Sequence, residues 1–315
     1  MATERRGVET TPNRFPRNHN ADGGALMPKR VYTKKNTAYD LVLPERYLDD
    51  SRDVEVFIST VADDNMDPRF SDDALRNYQS FLEKHCISSA DAFSPALGQN
   101  YRIITIDEWN EEKYAGKFVE YGDPREEYRC DAVIVSGTNI PVAFRVGDCP
   151  TVLIVGEAPQ DIRVMALVHA GRAELRAEVL KTTVARMISG FRMHFLSATA
   201  YVFPHICRHC YALQYLGPDV SDQEKNFLET IGGIHHLDML GWLEYQLLEA
   251  GIRRVSKAHF RCTAGISENC ASALLHKSKN FKGLFSHYRS FHRKSAEGRF
   301  IVLVRIIDRE LEEDE

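Results

Sequence analysis

Two short segments carry side chains able to do chemistry. Gly147-Asp148-Cys149-Pro150 offers a thiol in a turn, and Val168-His169-Ala170-Gly171 offers an imidazole where a strand gives way to a helix. One strand entering a sheet and one leaving it can bring both side chains to the same sheet end. A thiolate and an imidazole placed there can bind Zn²⁺ at about 2.0–2.3 Å, or act as a Cys–His nucleophile pair. The plainer alternative is a buried Cys149 packing as a small hydrophobe, beside a hydrogen-bonded His169. A third group, His205-x-Cys207-x-His209-Cys210, has the form of half a zinc knuckle. A structural site needs a second ligand pair, and the spacing shows none, so the group reads as a loop. His235-His236 reads as a pair at a helix N-terminus, and Asp238 as a carboxylate facing the helix dipole.

Elements with clear patterns flank these segments. Val54–Ser59 alternates as a strand, and Ser71-Asp72-Asp73 opens a helix carrying Leu75, Tyr78, Phe81 and Leu82. Tyr101–Ile106 is β-rich, and the acidic stretch from Asp107 to Asp123 reads as a surface loop or short helix. Ala132–Ser136, Pro141–Val146, Thr151–Val155 and Ile162–Val168 are short β-rich runs parted by turn residues. A helix follows, with Leu175, Val179, Leu180, Val184, Met187 and Ile188 on one face, ending at Gly190. Ser197–Phe203, Arg254–Phe260 and Phe300–Ile306 read as strands. Leu237, Leu240, Leu243, Leu247 and Leu248 mark a second helix, stopped at Gly251. The pattern predicts an α+β fold: a single domain, residues 46–310, with a central mixed β-sheet flanked by helices. Residues 1–45, rich in proline, glycine and polar side chains, read as a disordered or loosely ordered arm, and 311–315 as an acidic tail.

Composition narrows the function classes. Hydrophobic residues at 43% and charged residues at 27% are an ordinary globular balance. A net charge of −5 without a basic stripe excludes a general nucleic-acid binder. No apolar stretch approaches the roughly 20 residues that cross a bilayer. An odd count of seven cysteines points to reduced thiols, hence a cytoplasmic protein.

Several blocks resemble those of a known family, in order and in spacing. Cys130-Asp131-Ala132-Val133, Gly147-Asp148-Cys149-Pro150 and Val168-His169-Ala170-Gly171 look like the Cys-Asp-Ala, Ala-Asp-Cys-x-Pro and Val-His-Ala-Gly blocks of the laccase-domain family. Leu237-Asp238 with Gln246-Leu247 and Gly251-Ile252, Cys262-Thr263, Phe285-Ser286-His287-Tyr288-Arg289 and Gly298-Arg299 match later blocks, and Ala62-Asp63-Asp64 with Arg76-Asn77 an earlier one. The resemblance spans residues 54–308. The family was long described as multicopper polyphenol oxidases and is now read as zinc-dependent purine nucleoside phosphorylases. It implies a zinc ion held by two His and one Cys, and phosphorolysis of purine nucleosides such as inosine or adenosine. Adenosine deamination and methylthioadenosine cleavage in the same pocket are implied too. Cys149 and His169 match two of the ligands and would be the catalytic pair. Arg172 and Arg289 would bind substrate, and the partners would be a purine nucleoside and phosphate. Multicopper sites need many paired His ligands, and those here are scattered.

The chain departs from the family at the site. Gln99 stands where the first His ligand should be, leaving Gln99 or water as third ligand. Arg172-Ala173-Glu174 replaces Trp-Arg-Gly, which places a carboxylate where an anion would bind. Either another residue completes the site, or this is a paralogue with lost or altered activity. A Cys–His hydrolase is the remaining alternative.

Overall fold

The computed structural model describes residues 39–42, 52–98, 100–121, 123–213, 216, 220–257, 262–264, 270, 286 and 297–308. The chain begins with β1 (Tyr39–Val42), β2 (Arg52–Ile58), α1 (Ala74–Lys84), β3 (Ala96–Leu97), β4 (Ile103–Ile106) and α2 (Glu111–Tyr114). Next come β5 (Arg129–Cys130), β6 (Ala132–Ser136), β7 (Val142–Val146), β8 (Thr151–Glu157), β9 (Arg163–His169), α3 (Arg172–Arg176) and α4 (Val179–Phe191). Then follow β10 (Thr199–Val202), β11 (Ala212–Leu213), α5 (Asp222–Lys225), β12 (Leu228–Ile231) and β13 (Ile234–Leu237). The last are α6 (Met239–Glu249), β14 (Arg254–Ser256) and β15 (Phe300–Asp308). No described helix is long and apolar enough to cross a membrane.

The mixed central sheet has six strands in the order β14-β10-β8-β9-β6-β4. Its outermost pairs, β10–β14 and β4–β6, are parallel, while β10–β8, β8–β9 and β9–β6 are antiparallel. A second sheet, β1-β2-β15-β7, packs face to face on it. Val133, Leu153 and Leu167 from the first sheet share one core with Val56, Phe144 and Val302 from the second. Ile134, Ile154 and Ala166, on the other face of the central sheet, pack on Leu180, Val184 and Met187 of α4 and on Trp242 and Leu243 of α6. Phe57, Ala143 and Leu303, on the outer face of the second sheet, cover Tyr78, Phe81 and Leu82 of α1. The order of layers is therefore helix, sheet, sheet, helix. Strands buried on both faces read as unbroken apolar runs rather than alternating ones, which is why β6 and β8 lack a period of two.

The expected α+β single-domain class holds, and the second sheet is what the patterns did not separate. Several element readings change. Tyr39–Val42, within the expected N-terminal arm, is a strand paired antiparallel with Val42↔Glu55 and Tyr39↔Ile58 in register. The rest of that arm and the acidic tail lie outside the described residues. The helix expected after His169 is two helices, parted at Glu178, whose φ of 55° is left-handed. Its apolar face stays aligned across the break, so periodicity alone could not register it. α4 runs to Phe191, past Gly190, and is capped by Arg192, also left-handed. Leu237 closes β13, so α6 starts only after Asp238, whose side chain accepts the Gly241 N–H at 3.0 Å. His235 and His236 lie on β13 rather than at a helix N-terminus. They bond Thr230 Oγ1 and the Arg208 carbonyl. Leu75 and Leu248 face solvent.

Candidate functional site

Three strand ends meet at one end of the central sheet, on its interior strands. β9 runs antiparallel to both β8 and β6, so it ends where they begin, with Thr151↔His169 and Ala132↔Val168 in register. Asp131 precedes β6, Cys149 sits in the turn before β8, and His169 is the last residue of β9. Two backbone bonds close the corner: His169 N–H to the Asp131 carbonyl and Ala170 N–H to the Pro150 carbonyl, each 2.8 Å. The Cys149 side chain lies within hydrogen-bond reach of the His169 ring. The thiol and imidazole singled out in the sequence thus come together.

The structure adds two carboxylates. Asp131 is fully buried; its Oδ1 lies 3.4 Å from His169 Nδ1, and its Oδ2 accepts the Tyr101 N–H at 2.9 Å. Glu174, in the first turn of α3 and 3% exposed, brings Oε1 to 3.8 Å from His169 Nδ1. That Oε1 is buried and has no hydrogen-bond partner. Gly171 lies between these groups. A Cβ there would collide with the Glu174 carboxylate and come within 3.1 Å of Cys149 Sγ and 3.3 Å of His169 Cε1. Only glycine lets the backbone pass so close.

Electrostatics follow the geometry. Burial disfavours a charged His169. The negative charge and hydrogen bond of Cys149, the hydrogen bond of Asp131 and the charge of Glu174 outweigh it, holding the imidazole well above its usual range. Burial raises Glu174, His169 pulls it down, and the charge of Asp131 adds to the rise. Tyr211 borders the same corner and is pushed up to about 12 by burial, then by the charge of Cys149.

Of the other expected site residues, Gln99 and Arg289 lie outside the described residues. Arg172 commits its Nε to Glu224 at 2.6 Å, and Glu224, fully buried, also takes Arg176 Nε at 2.5 Å. Arg299 packs against Gly147 and lies 3.9 Å from Asp67. Asp148, beside Cys149, accepts hydrogen bonds from Thr263 and from Ser286 Oγ, the latter at 2.7 Å. Asp131 was visible only as part of a motif, because its reach to His169 depends on the β6–β9 pairing. Glu174 was visible as a carboxylate in the first helical turn, where it read as an obstacle to an anion. A cleft of about 730 Å³ opens at the opposite end of β6 and β9, between Thr138, Arg163 and Arg305, away from these groups.

Fold and site together define a single-domain α+β protein that gathers a thiol, an imidazole and two carboxylates at one sheet end. The chain belongs to the laccase-domain family: the family model described as multi-copper polyphenol oxidoreductase laccase matches residues 75–307. Among solved structures it is similar to the hypothetical protein YfiH of Bacillus licheniformis, with 15% identity, a TM-score of 0.57, and coverage of 81% of this chain and 96% of that one. It is also similar to Neisseria meningitidis protein NMB0706, with 17% identity, a TM-score of 0.60, and coverage of 84% and 98%. YlmD of Geobacillus stearothermophilus matches at 16% identity and a TM-score of 0.57, covering 81% and 92%. At these identities the likeness concerns the fold. No curated protein matches the sequence.

Proposed function

We propose that this chain is a zinc-dependent purine nucleoside phosphorylase in which Glu174 supplies the metal ligand that Gln99 does not. The observation that carries the reading is the buried, unpartnered Oε1 of Glu174, held beside the imidazole of His169. An unsatisfied buried carboxylate oxygen costs on the order of 1–3 kcal/mol, and a cation in contact with it would offset that cost. The donor chemistry suits one zinc ion: Asp131, His169 and Glu174 bring ligand atoms within 4.8 Å of one another, and a Cys149 sulfur, a His169 nitrogen and a Glu174 oxygen are ligand types zinc accepts, leaving a fourth position open. A cluster with one imidazole does not suit several copper ions, which need many imidazoles.

Bound zinc would supply Lewis acidity toward an oxygen of phosphate or substrate. The protein's own residues do the rest. Asp131 fixes the orientation of His169 through Nδ1, as carboxylates commonly do for metal-bound histidines. Gly171, lacking a Cβ, leaves the room in which Glu174, Cys149 and His169 meet. In the reaction phosphate displaces the purine at C1′ of the sugar, giving free base and sugar 1-phosphate.

The test is metal content and turnover together. Cys149→Ala and Glu174→Gln should each remove one equivalent of zinc relative to the parent chain. Each should also abolish release of hypoxanthine from inosine in phosphate buffer. A parent chain that loses no zinc on Cys149→Ala and converts neither inosine nor adenosine overturns the reading in favour of a paralogue without this activity. A second reading rests on the same Asp131–His169–Cys149 order, which suits a nucleophile, base and orienting acid. It predicts that iodoacetamide, by alkylating Cys149, inactivates a metal-free enzyme that hydrolyses an ester or amide.

A further inference from the structure

All seven cysteines are present as thiols, and four of them meet away from Cys149. Cys207 and Cys210 lie on the turn after β10, Cys262 forms a bridge alongside His205, and Cys270 comes in from further along the chain. Their four sulfurs all lie within 4.8 Å of one another. Cys207 and Cys270 are 3.6 Å apart. Cys210, Cys262 and Cys270 are buried, with Ile206, Ala264 and Tyr211 packed around them. The fold thus delivers Cys262 and Cys270 from a distant segment to Cys207 and Cys210, a pairing of the two halves that the sequence did not reveal.

The spacing discriminates between explanations. A disulfide would hold Cys207 and Cys270 at about 2.05 Å. Four thiolates each about 2.3 Å from one tetrahedral ion lie about 3.8 Å from each other, close to the separation found. A cluster of several irons sits between its thiolates and would hold them further apart than one ion does. The turn itself has the shape of a knuckle: the Cys210 and Tyr211 N–H groups both donate to the Cys207 carbonyl at 3.0 Å. The Cys207 N–H donates to Cys262 Sγ at 3.4 Å, a bond that favours a sulfur carrying negative charge.

We infer that Cys207, Cys210, Cys262 and Cys270 form a second, closed metal site that holds one Zn²⁺ through four thiolates. With every position taken by sulfur the ion has no place for substrate, so its role is structural. It clamps the 205–211 turn to the 262–264 segment, and both support the Cys149 corner. Ile206 N–H donates to the Asp148 carbonyl at 3.0 Å, Thr263 N–H to the His205 carbonyl at 3.1 Å, and the Thr263 hydroxyl to the Asp148 carboxylate. Tyr211, next to Cys210, comes close enough to feel the charge of Cys149. Binding would release the thiol protons to solvent.

Cobalt(II) substitution of the purified full-length chain and of its Cys149→Ala variant tests this. Besides any cobalt that the parent holds at the Cys149 corner, both should take up one cobalt with the strong visible bands and sulfur-to-cobalt charge transfer of a tetrahedral four-thiolate site. Cys270→His should keep one cobalt, with bands shifted by exchange of a sulfur for a nitrogen, and this variant guards against simple misfolding of Cys270→Ser. Native zinc-loaded protein should resist alkylation at the four cysteines until a chelator is added. Loss of the tetrahedral signature in Cys149→Ala, iron or disulfides at these cysteines in the purified chain, or equal alkylation with and without chelator would overturn the inference. A chain that turns over no nucleoside yet keeps the spectrum removes only the phosphorylase reading.

Discussion

Asp131, His169 and Glu174 make a buried run of charge whose balance depends on what binds beside it. Without a cation, Glu174 holds its proton more tightly than a free glutamate, because burial and then the Asp131 charge outweigh His169. The folded form therefore binds more protons than the unfolded one. Metal-free stability should fall as pH rises from about 4.5 through the folded value. Glu174→Gln should flatten this slope: by thermal unfolding in chelator, the variant should gain on the parent chain as the solution becomes more alkaline. An equal slope in both would remove Glu174 from the account. Asp131→Asn keeps the shape but weakens the hold on His169, and should lower zinc affinity at the Cys149 site about 10–100-fold, read by competition with a chromophoric chelator. The pairing of Cys149 with His169 was legible because their segments flank one hairpin. The carboxylates were not, because one depends on a non-adjacent strand and the other breaks the family pattern.

Patterns of apolar residues located β2, α1, β6 to β10 and β15 well, since each has a run of suitable length and type. They failed where backbone geometry changes without a change in which face is apolar. Glu178 is the clearest case: it joins α3 and α4 in a left-handed conformation that costs a side chain about 1–2 kcal/mol. Its pair with Lys181 lies in part-exposed surroundings and contributes little. Glu178→Gly should therefore raise stability by about 1 kcal/mol, measured by denaturant midpoint at unchanged slope. A loss instead would mean that the carboxylate does more for α4 than its exposed pairing suggests. β13 was hidden for another reason. Its hydrophobic end, Leu237, is in phase with the helix that follows, so the two elements read as one.

Four layers stack in this molecule, and the middle interface between the two sheets is closed by a strand from the far end of the chain. β15 pairs with β2 on one side and β7 on the other, and Val302 is fully buried between the sheets. Val302→Asp would bury a carboxylate without a partner there. A cost of several kcal/mol is a large share of the roughly 5–15 kcal/mol that a domain has, so the variant should lose cooperative unfolding by near-ultraviolet circular dichroism. A native-like transition would show that the sheets can part. That β15 joins the second sheet was not legible, because long-range pairing leaves no trace in local composition. One consequence lies in the ladder between β8 and β9, which sets Thr151 opposite His169 and closes at the turn where Ala158 N–H meets the Ile162 carbonyl. A single inserted residue inside either arm would turn every side chain beyond it to the opposite face and carry the imidazole away from the thiol. Drift in length among relatives that keep this chemistry must therefore collect at the tip near Gln160, or come as matched additions to both arms, so that the hairpin works as a caliper.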